Sequence, residues 1–350
     1  MNVKEGKKLM DEREETETLD PWFEKELVCP RDKSDLTKKG SELVCGNGHS
    51  YPIVNGIPVM LYMDERPTMP KAFQYTISLA KQAVEGELNP QKSYSGIHPF
   101  VQHNLTTTCG KRLFARSKGK LTSYPIPPIP LPPAKYKGQE MIDIGCNWGR
   151  WSIAAARKGY VPLGIDPMLE AVLAARDVTR EMGLPARFVC GDARHLPFRD
   201  GRFEVAHSYS VFQHFHKDNA KLAIAEAGRV LKAGGTCLIQ MTAKYGLLAL
   251  WRKTWYAFRF GLGDPGGFEV RHWSAGEIRK FFGRVIGPTK VFVDGYFTIL
   301  PEPGDLKLLA PRHRALMRMS AAGRSLSRVF PPLIHVADSL YALSSKPPAR

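Results

Sequence analysis

The stretch Met141-Ile142-Asp143-Ile144-Gly145-Cys146-Asn147-Trp148-Gly149-Arg150 limits what this 350-residue chain can fold into more than any other. A short apolar strand runs into an acid, a Gly-x-Asn-x-Gly turn follows, and then a segment that reads as a helix start. Small residues at that spacing let backbone approach a ligand closely, which suits a nucleotide-type cofactor on a parallel sheet. A single glycine-rich turn says little alone. Here the residues that follow supply the other parts in order.

Trp151, Ile153, Ala154, Ala155 and Ala156 continue a helix that Gly159 can close. Tyr160 to Ile165 reads as a strand ending in Asp166, the place where an acid accepts hydrogen bonds from ribose hydroxyls. A helix over Met168–Met182 leads to a strand at Arg187–Cys190, then Gly191-Asp192-Ala193. Phe203–His207 is a fourth strand, Asn219–Leu231 a helix, and Gly234-Gly235 turns into a fifth strand over Thr236–Met241. Regular alternation of strand and helix predicts a parallel sheet covered on both faces.

Two cofactor chemistries compete for this pattern. A nicotinamide dehydrogenase asks for Gly-x-Gly-x-x-Gly and a hydride-site acid/base pair, and neither is present. Asp143-Ile-Gly145-Cys-Asn147-Trp-Gly149 instead resembles the first motif of Rossmann-like (class I) S-adenosylmethionine-dependent methyltransferases of the type 11-like kind. It departs only at the middle glycine, and asparagine is among the best substitutes at a left-handed position. Gly191 to Phe203 and Glu226 to Gly235 resemble two further signatures of that family, so the resemblance covers about residues 138–243. It implies an α/β fold, with a seven-stranded, mostly parallel sheet between helices. It also implies roles. Gly145, Asn147 and Gly149 would lie against the methionine part of the cofactor, and Asp143 would help hold that turn and the ammonium group. Asp166 would take the ribose hydroxyls, and Asp192 the adenine amino group with the Ala193 backbone N–H.

Methyl transfer from a sulfonium is an in-line displacement, so alignment supplies most of the acceleration, and a base is needed only if the acceptor must lose a proton. Ser208 to His216 follows the fourth strand and offers His214, Tyr209 and His216 as candidates; His214 equally suits a structural role. Gly246–Gly263 is amphipathic and basic, which fits a lid packed on the domain or a membrane surface. Helix Ser274–Phe282 and strand Lys290–Asp294 continue the fold. Leu306–Phe330 reads as a basic helical insertion, because Ala337–Lys346 resembles the family's closing antiparallel strand.

The front of the chain differs. Residues 1–20 are acidic and read as disordered, without the apolar stretch of a signal peptide. Residues 21–63 carry Cys29-Pro30-Arg31-Asp32, then Cys45-Gly-Asn-Gly-His49, then Tyr51-Pro-Ile ending in Gly56-Ile-Pro-Val-Met-Leu61. Cys29, Asp32, Cys45 and His49 form a candidate zinc set, with Asp32 where a knuckle cysteine would stand. The stretch resembles the small zinc-ribbon-like domain that partners tRNA methyltransferases and is fused to the front of some others. Residues 64–137 read as a helical extension, with a helix over Lys71–Glu87. A polyproline stretch, Tyr124–Pro133, closes it as a stiff spacer of roughly 30 Å. Residues 138–243 form the cofactor core, and 244–350 the acceptor lid, the remaining strands and the helical insertion.

Net charge is +16 although residues 1–70 hold more acid than base, so the remainder attracts anions: RNA, phosphorylated metabolites or acidic lipid. No run is long and apolar enough for a transmembrane helix, and scattered cysteines fit reduced thiols and a cytoplasmic location. The pattern favours a small-molecule, lipid-linked or glycan-precursor acceptor. An rRNA or tRNA acceptor is the alternative, though no Asn-Pro-Pro-Tyr or nucleophilic Pro-Cys follows the fourth strand. A non-catalytic cofactor-binding activator of another enzyme is the third reading.

Overall fold

The computed structural model describes residues 18–64, 68–85, 94–107, 121–247, 270–296 and 311–348. Helix α1 (Pro21–Glu26) leads into strands β1 (Leu36–Lys39), β2 (Glu42–Cys45), β3 (Ser50–Val54) and β4 (Ile57–Met60), then helices α2 (Pro70–Val84) and α3 (Pro99–Thr107). The alternating region follows as β5 (Glu140–Ile144), α4 (Arg150–Ala156), β6 (Val161–Asp166), α5 (Leu169–Glu181), β7 (Arg187–Gly191), β8 (Phe203–Ser208), α6 (Lys217–Val230) and β9 (Leu231–Thr242). Helix α7 (Ala275–Val285), β10 (Thr289–Gly295), α8 (Pro311–Val329) and β11 (Ser339–Ser345) complete the described chain.

β5 is the centre. Met141 to Ile144 are all buried, as a strand flanked by helices on both sides requires. Met141 packs with Trp151, Ala154 and Ala155 of α4, while Ile142 and Ile144 join the opposite cluster with Ile224 of α6 and Ile278 of α7. The sheet runs β7-β6-β5-β8-β9-β11-β10 through this region, parallel from β7 to β9, with β11 antiparallel to both neighbours. Chain order reverses between β6 and β8 on either side of β5, which opens a crevice at the carboxyl ends of those strands.

The expected seven strands, β5 to β11, are not the whole sheet, which has eleven. β4 pairs in parallel with β7 at Val59↔Cys190 and Met60↔Gly191, and β1 to β3 extend from it as antiparallel neighbours. An open β7 edge would present a row of unpaired amides and carbonyls; β4 satisfies it. The front module is therefore continuous with the core. Leu27, Tyr51 and Met60 share one buried cluster with Ile144, Leu196 and Phe198. Lys33 reaches Glu226 at 3.1 Å, and Arg202 binds both Glu26 and Glu140.

Two further expectations change. Within the stretch read as disordered, residues 1–17 lie outside the described residues, but Leu19 is in the core and Asp20 caps α1 and pairs with Arg187 at 2.8 Å. The proline-rich stretch is not a free spacer either. Ile129 and Leu131 are buried against α4. The prolines have no N–H with which to build a helix or a strand ladder, and the carbonyls of the stretch accept instead from Arg150, Lys158 and Tyr160. In α2, Phe73, Thr76 and Ala80 face inward and Val84 is exposed. Most of the 246–263 lid lies outside the described residues.

Candidate functional site

The turn after β5 has the backbone its residues imply. Gly145, Asn147 and Gly149 have φ of 77°, 48° and 81°, so the asparagine does occupy a left-handed position. A Cβ on Gly145 would lie 2.3 Å from a Val211 methyl, so this glycine also permits close approach of the loop after β8. Gly145 and Cys146 N–H groups donate to the Ile165 carbonyl, at 2.7 and 3.1 Å, which ties the turn to β6. The Asn147 side chain accepts from the Trp148 N–H at 2.8 Å and so rigidifies the turn from within.

The three strand-end acids meet different fates. Asp143 is 1% exposed and accepts from Ser152 Oγ at 2.7 Å, while His207 Nδ1 lies 3.1 Å from its other oxygen. It pins β5 to α4 and β8, a contribution to holding the turn; the ammonium role assigned from resemblance finds its carboxylate turned inward. Asp166 accepts from the Asn147 N–H and the Met168 N–H, both at 3.0 Å. Burial, with a smaller push from the Asp143 charge, raises its carboxyl to about 6. Asp192 accepts from the Arg194 N–H at 2.9 Å on one oxygen and from the Arg194 guanidinium on the other. Ala193 is buried beside it.

Arg194 was not foreseen. Its other nitrogen pairs with Asp64 at 2.8 Å, and Asp64 also lies 3.5 Å from His195 Nε2, whose ring packs on Tyr62. The end of the front module thus reaches the carboxyl edge of β7 beside Asp192. The arginine stood within the quoted Gly191–Phe203 signature, but its partner lies more than a hundred residues earlier, so spacing offered no signal. His207, fully buried against Asp143, was also missed; it reads as an ordinary strand residue.

On the acceptor side, Tyr209 donates to Asp294 at 3.2 Å and its ring lies 4.5 Å from that of Trp151. Asp294 also accepts from Ser339 Oγ at 2.6 Å, and burial raises its carboxyl to about 6. The tyrosine hydroxyl is thereby engaged across β9 and β11. His214 is half-buried on a 3-10 turn, with Nε2 3.4 Å from the Gln213 amide nitrogen. His216 is exposed, 3.3 Å from Arg271, and its carbonyl accepts at the start of α6. The three candidates do not converge on one point.

Cys29, Asp32, Cys45 and His49 do converge. Their donor atoms all lie within 4.8 Å of one another. His49 Nδ1 is 3.4 Å from each sulfur and 3.3 Å from Asp32 Oδ2, and Cys45 Sγ is 3.9 Å from that oxygen. Tetrahedral zinc with bonds of about 2.0–2.3 Å separates its ligands by roughly 3.3–3.8 Å, so the donor set fits the ion. Hydrogen bonds from Ser34 and Asn47 hold the Asp32 carboxyl well below the usual carboxylate range, in the form a metal needs.

Residues 141–235 match the family model described as a methyltransferase domain. The match supports an S-adenosyl-L-methionine-dependent methyltransferase core. A tRNA (carboxymethyluridine(34)-5-O)-methyltransferase of Xenopus tropicalis is 34% identical over 108 residues, 31% of this chain and 16% of that one. Ajmaline N-methyltransferase of Rauvolfia serpentina is 33% identical over 106 residues, 29% and 36% of the two chains. The chain spans less than half the length of these curated relatives. A SAM-dependent methyltransferase structure from Methanosarcina mazei, 21% identical, superposes with a TM-score of 0.45 over 61% of this chain and 95% of its own. No described helix is long and apolar enough to cross a membrane.

Proposed function

We propose that this protein transfers the methyl group of S-adenosyl-L-methionine to a small-molecule, lipid-linked or glycan-precursor acceptor. One observation carries the cofactor half: a turn of Gly145, Asn147 and Gly149 in left-handed backbone, locked through the Asn147 N–H to Asp166 at the crevice beside β5. In this reading Asp166 receives the ribose hydroxyls. Asp192, braced by Arg194, presents its remaining lone pairs to the adenine amino group beside the Ala193 N–H. The cofactor supplies an electrophilic methyl on a sulfonium. The acceptor's lone pair forms the new bond as the S–C bond breaks, and the sulfide leaves uncharged. The protein's task is alignment and exclusion of water.

The relatives' names span tRNA and an alkaloid, and each match covers less than a third of this chain, so they do not choose the acceptor. The basic charge and the front module favour RNA as the second reading. We further propose that Cys29, Asp32, Cys45 and His49 hold a structural zinc that ties the front hairpins together. The test is incubation with methyl-labelled cofactor and a fractionated cell extract. Label in a small or solvent-extractable fraction is expected; label in RNase-sensitive polymer would install the RNA reading. Tight cofactor binding with no transfer to any fraction would favour a non-catalytic partner.

A further inference from the structure

Helix α8 turns small polar residues inward and large apolar ones outward, the reverse of a helix recruited to build a core. Ser320 is buried and its hydroxyl accepts from the Tyr296 N–H at 2.9 Å. Gly323 lies against the same tyrosine ring, where a Cβ would come within 2.9 Å. By contrast Met319, Leu326, Val329 and Phe330 are 58%, 56%, 83% and 55% exposed. The spacings of seven and then three or four residues put these on one stripe. Behind the helix lies a cavity of about 410 Å³, lined among others by Met317, Arg324, Trp151, Phe292 and Tyr341, so its inner side is not closely packed on the sheet.

Charge points to what covers the outer side. From Leu306 to Ala337 the sequence has no Asp or Glu, but it has Lys307, Arg312, Arg314, Arg318, Arg324 and Arg328. Arg314, Arg318, Arg324 and Arg328 are exposed, and of these Arg318, Arg324 and Arg328 also border the cavity behind the helix. We propose that α8 and the turn after it dock on an anionic lipid membrane, with Met319, Leu326, Val329 and Phe330 entering the headgroup boundary and Arg318, with Arg314 one turn earlier, meeting lipid phosphates beside them. A second copy of the chain would bring the same positive charge and repel. An RNA backbone would engage the arginines but leave four large apolar side chains in water. A lipid surface satisfies both halves of the helix at once. The docking stands independently of methyl transfer.

The full chain is sedimented with vesicles of phosphatidylcholine alone, or of phosphatidylcholine with about one third phosphatidylglycerol. Binding to the anionic vesicles is expected to exceed that to the neutral ones by at least about tenfold and to fall as salt is raised. The double variant Leu326→Glu, Phe330→Glu is expected to lose about tenfold in binding while its thermal melt matches the parent. Leu222→Glu, a single such change at an exposed leucine of α6, keeps full binding. Equal binding to both vesicles, no binding to either, or a double variant that binds like the parent overturns the proposal. So does retention of an RNA duplex that Arg324→Glu, Arg328→Glu abolishes, if the anionic vesicles do not bind.

Discussion

Asp166 is 8% exposed, with each oxygen held by a backbone amide, yet its carboxyl is raised to about 6 because burial outweighs those bonds. In the role proposed for Asp166, ribose hydroxyls would donate to the ionised form. Affinity for S-adenosylhomocysteine is therefore expected to be flat above about pH 7 and to fall about tenfold per unit below pH 6 in calorimetry. The free protein should show the opposite trend. An acid whose value is raised on folding contributes stability that is complete below its unfolded value, near 3.8, and is lost as pH climbs to 6. Asp294 adds a second such acid. The melting temperature of the free protein, corrected for other titrations, should thus decline between pH 4 and 6, and cofactor should narrow that decline. Asn147 permits a second check at this scale. Its left-handed backbone tolerates glycine, so Asn147→Gly should keep cofactor affinity within about threefold, losing only the bond to the Trp148 N–H. Asn147→Val forces a β-branched residue into that conformation at a cost of about 1–2 kcal/mol and should lower both the melting temperature and the affinity. Equal behaviour of the two variants would mean the turn relaxes freely and is not a built cradle.

The hairpins carrying Cys29 to His49 are short, and strands of four or five residues hold few ladder bonds of their own. A zinc ion would close them covalently. Protein purified without chelator is expected to hold about one zinc per chain by emission spectroscopy, and Cys45→Ser should lose it and about 2 kcal/mol or more of stability to urea. A metal-free parent with the same midpoint as Cys45→Ser would remove zinc from this site. The elements differ in how far sequence revealed them. The β5 turn, β6 and β7 were legible because each is a local pattern: an apolar run, a breaker, and an acid or glycine at a set offset. The closing β11 was legible only through its resemblance to a family's last strand. Cys29, Asp32, Cys45 and His49 were legible as a set because hairpins bring near neighbours together. The β4–β7 pairing was not, since it rests on a two-residue register between segments far apart in the chain. The same holds for Asp143 with His207 and Arg194 with Asp64, where His207, Arg194 and Asp64 each resemble an ordinary strand or surface residue.

Those long-range contacts make the front module part of the folding unit. Phe23, Leu27, Tyr51 and Met60 bury themselves with Leu196, Phe198 and Ile144, and β4 closes the β7 edge one strand from Asp166 at the end of β6. Removing residues 1–63 would uncover this apolar surface and leave a parallel edge strand open, a template for aggregation. Loss of Leu27, Tyr51 and Met60 alone forfeits contacts worth on the order of 2 kcal/mol each, against a total stability of about 5–15 kcal/mol for a typical domain. The full chain should accordingly melt in one cooperative transition by calorimetry, whereas the chain lacking residues 1–63 should be insoluble or molten and should bind cofactor at least tenfold more weakly. The alternative is a module that only rests on a finished core. That arrangement predicts two separate transitions and a soluble, cofactor-binding remainder, and seeing both would show that Asp192 and Arg194 hold their places without the strands that lead to Asp64.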